Sequence, residues 1–378
     1  MRISGVITKN KDWIDSTWEK LVKKIEQTAI RNRDKLPYKA YDGVYDDMRK
    51  KDVCWWTNGF FGGLMWLMHL GTGNDLFKDV ALHQEKMLDD CFLHVEELHH
   101  DVGFMWHILS GVNYRLNGDV ASRSRNIMMA NLLAARLVAT SDYIRAWNFE
   151  DTEELSIIDT MMNLPLLYWA SKELDDPNYK KIAMIHADMA MRDHVRADGS
   201  VHHIVEHDPK SPNSVKGYQA GQGYAIGSSW SRGCAWAVYG FALSHLYTQK
   251  AEYLDTARRC ADYFIDEVKK TDYLAKLDFR QPDTPMYYDS TAGVVCACGL
   301  IQIAGFLPES QGEIYLDAAL KILRATEREW CDWDEDKDSV LQMASDSYVK
   351  GVHTNLVYAD FFLAEALLKL KAEDFLIW

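Results

Sequence analysis

The sequence predicts an all-α fold, an (α/α)6 barrel of six helical hairpins, and two observations carry that prediction. Apolar residues recur with a helical period over nearly the whole 378-residue chain. The helices so marked are of two kinds, charged and amphipathic or apolar all round, and the two kinds alternate six times.

The amphipathic set comes first. Ile14, Trp18, Leu21, Val22, Ile25 and Ala29 form one apolar stripe of a helix over 13–32. Further charged helices are expected at 75–97, 119–141, 177–193, 251–268 and 311–331. Four of them carry an aromatic residue followed four positions later by alanine: Phe77/Ala81, Tyr179/Ala183, Tyr253/Ala257 and Tyr315/Ala319. Turn residues such as Gly71-Thr72-Gly73-Asn74, Asn117-Gly118-Asp119 and Asp175-Asp176-Pro177 precede several of them.

The apolar set covers 57–68, 101–109, 158–170, 230–246, 289–303 and 355–370, and is rich in Gly and Ala. A helix without a polar face must be buried on all sides. Helical pairs spaced at roughly 45–70 residues either close into a ring or stack as an open solenoid, and so uniformly apolar an inner set favours the ring. A short ribbon is expected near Val201–Val205. The long polar segments 33–56, 194–229 and 269–288 read as functional loops. No linker divides the chain, so residues 1–378 read as one domain.

Composition narrows the function classes. The net charge of −14 opposes phosphate backbones, so nucleic acid and anionic membrane surfaces are disfavoured as partners. No run reaches the length of a membrane span, and the first residues, MRISGVITKNKDW, lack the apolar core of a signal peptide. Seven cysteines without a C-x-x-C pair point to free thiols in a reducing compartment, and a cytoplasmic protein is expected. Oligomeric state is not readable. Thirteen Trp, 19 Tyr and 13 Phe fit either core filling or a sugar cleft in which rings stack on pyranose faces.

Each apolar helix begins with unusual residues: Trp55-Trp56-Thr57-Asn58, His99-His100-Asp101, Ile157-Ile158-Asp159, Trp230-Ser231-Arg232, Tyr287-Tyr288-Asp289 and His353-Thr354-Asn355. In a closed ring these starts share one end. Asp159 lies among apolar residues, where an ionised carboxylate is costly, so its pKa should rise toward that of a general acid. The alternative is a helix cap bonding the N–H of Met161 or Met162. Asp101 is either a cap or the second member of the carboxylate pair that glycosidic chemistry uses. His99, His100, His202, His203 and His207 lack the spacing of a metal motif and fit hydrogen bonding to sugar or carboxylate better, so metal catalysis is not expected. Arg232 is either an ion pair to a neighbouring helix or a carboxylate clamp. Trp56, Trp147, Trp230 and Trp236 are either core or sugar platform.

Five motifs together resemble the unsaturated glucuronyl hydrolases, family 88 of the glycoside hydrolases. They are Trp56-Thr57-Asn58-Gly59-Phe60, His99-His100-Asp101-Val102-Gly103-Phe104, Ile157-Ile158-Asp159 with Asn163-Leu164-Pro165-Leu166-Leu167, Gln222-Gly223, and Ser228-Ser229-Trp230-Ser231-Arg232-Gly233 with Ala235-Trp236. The resemblance covers about 55–370 and implies the same (α/α)6 barrel. It implies removal of the 4,5-unsaturated uronic acid that polysaccharide lyases leave on oligosaccharides, by hydration of the vinyl ether C4=C5. Asp159 matches the general acid/base and Asp101 the second catalytic aspartate. His202 and Gln222 match residues near the substrate carboxylate and attacking water, and Arg232 a carboxylate-side contact. His100, Trp56, Trp147, Trp230 and Trp236 complete the substrate-binding set. The partner implied is an unsaturated oligosaccharide, and no cofactor or metal takes part.

The chain departs from the family pattern at Phe61, where many relatives carry Trp, at Cys234, where Gln is common, and at Ile226, where some carry a polar or acidic residue. Ser345, Ser347 and Lys350 are either a contact to a sulfated second sugar or a solvated loop. Two alternatives stand beside the hydrolase: a related barrel acting on unsaturated rhamnogalacturonan or alginate fragments, and a non-catalytic carbohydrate-binding protein.

Overall fold

The computed structural model describes residues 5–138, 140–211, 213–372 and 375–378. Its twelve described α-helices fall into the two expected sets. The outer set is α1 (Gly5–Asn32), α3 (Asp75–Leu88), α5 (Val120–Ala135), α7 (Pro177–Met189), α9 (Ala251–Val268) and α11 (Glu309–Trp330). The inner set is α2 (Phe60–Thr72), α4 (Ser110–Asn117), α6 (Leu164–Glu173), α8 (Ser231–Thr248), α10 (Ser290–Phe306) and α12 (Val357–Leu370). Every residue of α8 from Ser231 to Ser244 is buried, whereas α9 buries only one stripe, Tyr253, Thr256, Ala257, Cys260, Ala261, Phe264, Ile265 and Val268. The charged face of each outer helix can therefore point to water while its stripe closes the gap behind an inner helix.

The inner helices close a ring, giving the (α/α)6 barrel. α8 packs on α10, α10 on α12, α12 on α2 and α6 on α8. The remaining side is made by segment 103–109, which lies against Gly59 at the start of α2, against Gly62 and Gly63 within it, and against α6 on its other flank. α1 covers the join, touching α12, α3 and α11. Residues 376–378 fill one end of the ring. Their carbonyls accept from Arg115 at the last turn of α4 and Tyr247 at the last turn of α8, and Trp378 stacks on Phe362. The C-terminal ends of the inner helices are thus closed, and the N-terminal ends form the mouth.

The expected ribbon is part of a three-stranded antiparallel sheet at that mouth, with strands 155–157, 204–207 and 215–219. The strand Leu155–Ile157 is too short to show a period of two in sequence. It also delays the next inner helix. Ile158–Met162 is a 3-10 turn, and α6 starts only at Leu164, with Pro165 in its first turn where the missing N–H costs nothing. Among the described residues, no helix is long and apolar enough to cross a membrane.

Candidate active site

Asp101 and Asp159 sit on distorted turns at the mouth. Asp101 precedes a π-turn over Gly103–His107, and Asp159 lies in the 3-10 turn. Asn163 joins the two. Its Nδ2 donates to Asp101 Oδ1 at 3.3 Å and to the Asp159 carbonyl at 3.5 Å, and its Oδ1 accepts from Phe104 N at 2.9 Å. A Cβ at Gly103 would press into Asn163, so glycine is required for this approach. The described hydrogen bonds show no cap on either carboxylate: Asp101 accepts from a side chain, and Asp159 Oδ2 is buried with no hydrogen-bond partner among the described residues.

Histidines flank the pair. His100 Nε2 is 3.2 Å and His99 Nδ1 is 3.5 Å from Asp101 Oδ2, and His100 Nδ1 bonds Thr160 Oγ1 at 3.0 Å. Burial and the nearby Asp159 charge push the Asp101 carboxyl well above the usual carboxylate range, against the opposing effects of Asn163 and Arg136. Burial, then the Arg136 charge, lowers His99 to about 4, and burial with its cationic neighbours holds His100 well below its ordinary value. Burial thus disfavours charge on all three groups.

His99, His100 and Asp101 offer ligand atoms within 4.8 Å of one another and are the residues here that could hold a cation. The Arg136 charge bears on all three and opposes one.

His203, rather than His202, stands against Asp159. His203 Nε2 is 3.4 Å from Asp159 Oδ2, and its ring centroid is 4.2 Å from that of Trp230. His202, just before the strand 204–207, points elsewhere. There it stacks on Tyr218 at 3.7 Å and accepts from Arg196. Gly221 has a φ of +57°, and a Cβ there would overlap the His203 ring, so the loop can pass over His203 only as glycine. Gln222 closes the same corner. Its N–H donates to His203 Nδ1 at 3.1 Å, and its Nε2 donates to the Asp346 carbonyl at 2.9 Å.

The other predicted residues divide between wall and floor. Trp56 and Trp147 are partly exposed; Trp56 packs on Phe104 and Tyr358, and Trp147 meets the His100 ring edge-on at 6.0 Å. Trp230 is buried beneath the Arg232 guanidinium, 4.6 Å away. Trp236 is fully buried between Phe104 and Phe362, so it is core rather than platform. Arg232 is also buried, and Asp289 takes its Nη1 at 2.6 Å. Its remaining bonds go to the Ser345 and Asp346 carbonyls, so the ion-pair reading describes it, not an open clamp. Ser345 is buried and donates to the Tyr288 carbonyl, which removes it from any sugar. Ser347 closes a turn with the Lys350 backbone, and both are exposed or nearly so. Phe61 and Cys234 are core, whereas Ile226 is 70% exposed.

Sequence reasoning missed Thr160, Asn163 and Arg136. Asn163 carried a signal, since it lies in the Asp159 motif at helical spacing from that residue.

No family model matches the chain. It is similar to an unsaturated glucuronyl hydrolase of Bacillus sp. (strain GL1), 33% identical over 84% of this chain and 86% of the relative. It is similar to an unsaturated chondroitin disaccharide hydrolase of Streptococcus pneumoniae (strain ATCC BAA-255 / R6), 28% identical over 97% of this chain and 94% of the relative. The crystal structure of the unsaturated glucuronyl hydrolase from Bacillus sp. GL1, responsible for the degradation of glycosaminoglycan, matches with a TM-score of 0.88 at 28% identity, covering 95% of this chain and 97% of that one.

Proposed function

Because the chain belongs to the unsaturated glucuronyl hydrolases, we infer that it removes the 4,5-unsaturated uronic acid from the non-reducing end of lyase-generated glycosaminoglycan oligosaccharides. It is a glycoside hydrolase. The observation that carries the site reading is Asp159 Oδ2, buried, without a hydrogen-bond partner among the described residues, and close enough to charge-couple to Asp101. A buried polar atom left unpaired is costly unless a ligand takes it.

In this reading Asp159 gives its proton to C4, and the C4=C5 pair forms the new C–H bond. The ring oxygen stabilises positive charge at C5. Water bonds to C5 and returns a proton to Asp159. The resulting hemiketal opens and expels the rest of the sugar. Asp101, set beside Asn163 and His100, is placed to hydrogen-bond ring hydroxyls. His203 orients Asp159, and Trp56 and Trp147 supply apolar faces. Local charge suffices against a net −14, because surface charges are screened within about 8–10 Å.

One domain over 1–378 is part of this proposal, supported by the closure of α12 on α2. A cytoplasmic location is supported by seven free cysteines.

The test is Asp159→Asn. The amide fills the same space and cannot deliver the proton. We expect an unchanged fold and loss of nearly all turnover of an unsaturated chondroitin disaccharide, followed by its ultraviolet absorbance. Turnover retained in that variant would overturn the assignment.

A further inference from the structure

Arg136 follows the last turn of α5 and is 9% exposed. Its guanidinium is spent on one short segment: Nε donates to the Arg145 carbonyl at 2.8 Å, Nη1 to Asn148 Oδ1 at 2.6 Å, and Nη2 to the Trp147 carbonyl at 2.9 Å. Asn148 in turn donates from Nδ2 to the carbonyls of Glu96 and Leu98, at 2.8 and 2.9 Å. Between these anchors the Ala146 carbonyl accepts from His100 N at 3.3 Å. The two segments 96–100 and 145–148 are thereby laced together immediately before Asp101. Trp147 stands at the centre of the lacing, with its ring against His100.

The choice of arginine has a physical reason. Its acceptors lie on three different residues, and a planar fork meets them with little further loss of entropy. A lysine has one nitrogen for the same three sites. No carboxylate pairs with Arg136 among the described ion pairs, so its bonds are all to neutral oxygens.

We propose that Arg136 is a positioning residue for the reaction: through Asn148 and the Trp147 carbonyl it fixes Trp147 beside His100 and Asp101, where the ring bears on the bound uronate. This rests on the proposed site. Arg136 itself touches no substrate; it acts through Trp147.

The experiment is a double-mutant cycle on the full chain, with an unsaturated chondroitin disaccharide as substrate. Trp147→Ala is expected to raise KM and to lower kcat/KM at least tenfold. Arg136→Lys is expected to lower kcat/KM by about tenfold, mainly through KM, as loss of two or more charge-assisted bonds implies. In the Trp147→Ala background, Arg136→Lys should have less than a threefold effect, because the group it positions is gone. Asn148→Ala provides a second arm if Arg136→Lys folds poorly. It leaves the arginine in place, cuts the link to 96–98, and should show the same non-additivity.

Additive losses in either cycle would overturn the inference. So would wild-type KM in both single variants. If Trp147→Ala itself is silent, the proposed wall fails, a result distinct from failure of Arg136 to act through it.

Discussion

His203 Nε2 lies 3.4 Å from Asp159 Oδ2, and neither atom has a hydrogen-bond partner among the described residues. Nδ1 meets the Gln222 N–H at 3.1 Å and the Ala220 carbonyl at 3.4 Å, which leaves Nε2 as the nitrogen beside the carboxylate. His203→Phe keeps the ring volume and removes that nitrogen. We expect kcat/KM to fall by about 100-fold, the scale of a lost second-sphere partner, with little change in thermal midpoint. His203→Gln, whose amide nitrogen reaches a similar place, should recover part of the loss. Wild-type kcat/KM in His203→Phe would show that the contact is incidental.

Arg232 and Asp289 form the most enclosed ion pair at the mouth, 2.6 Å apart with both side chains buried. Burial alone would lower the arginine pKa; the Asp289 carboxylate and the acidic groups around it outweigh this and keep it raised. Asp289 Oδ1 also accepts from Thr291 N and Ser345 N, so the pair ties the starts of α8 and α10 to the 345–346 loop. Removing one partner strands a buried charge. Asp289→Asn should cost about 3–5 kcal/mol of unfolding free energy, measured by denaturant titration. The added cost of Arg232→Met in that background should be well below its cost alone. A loss below about 1 kcal/mol in Asp289→Asn would contradict this account.

The barrel was legible because an inner helix cannot disguise itself. α8 and α10 are apolar on every face, and only burial on all sides permits that. What periodicity could not show is where a helix gives way to a turn. Asp101 lies just before a π-turn and Asp159 within a 3-10 turn, and the residues of both turns are as apolar as the helices they interrupt. The aspartates stood out as charges inside apolar runs, whereas their partners did not. Asn163 and Thr160 meet Asp101 and His100 across about 60 residues of chain, through the ring closure itself. His202 and His203 are adjacent in sequence, and only the folded path of the segment before the strand 204–207 decides which one faces the mouth. Trp147 and Trp236 are equally aromatic, and only the helix packing makes one a wall and the other core.

Acid should unfold this protein through its histidines. Burial is the leading cause that lowers His186 to about 3 and His99, His202 and His207 to about 4. In the unfolded chain these imidazoles take a proton near 6.5. Between those values the unfolded state binds more protons, so stability is full above about pH 6.5 and falls as the pH drops toward 4. Each lagging histidine contributes up to about 1.4 kcal/mol per pH unit in that window. The raised carboxyls oppose the trend, because a folded pKa above the unfolded one adds stability as pH falls; Asp360, pushed up to about 6 chiefly by burial, is one. With four histidines against it, we expect a net loss of at least about 2 kcal/mol between pH 7.5 and 5.0 in urea titrations. His186→Asn can keep an acceptor for the Ile144 N–H, which His186 Nδ1 now takes at 3.0 Å, and does not titrate. It should flatten the profile by one histidine's share. Equal stability at the two pH values would show that these imidazoles are solvated before the chain unfolds.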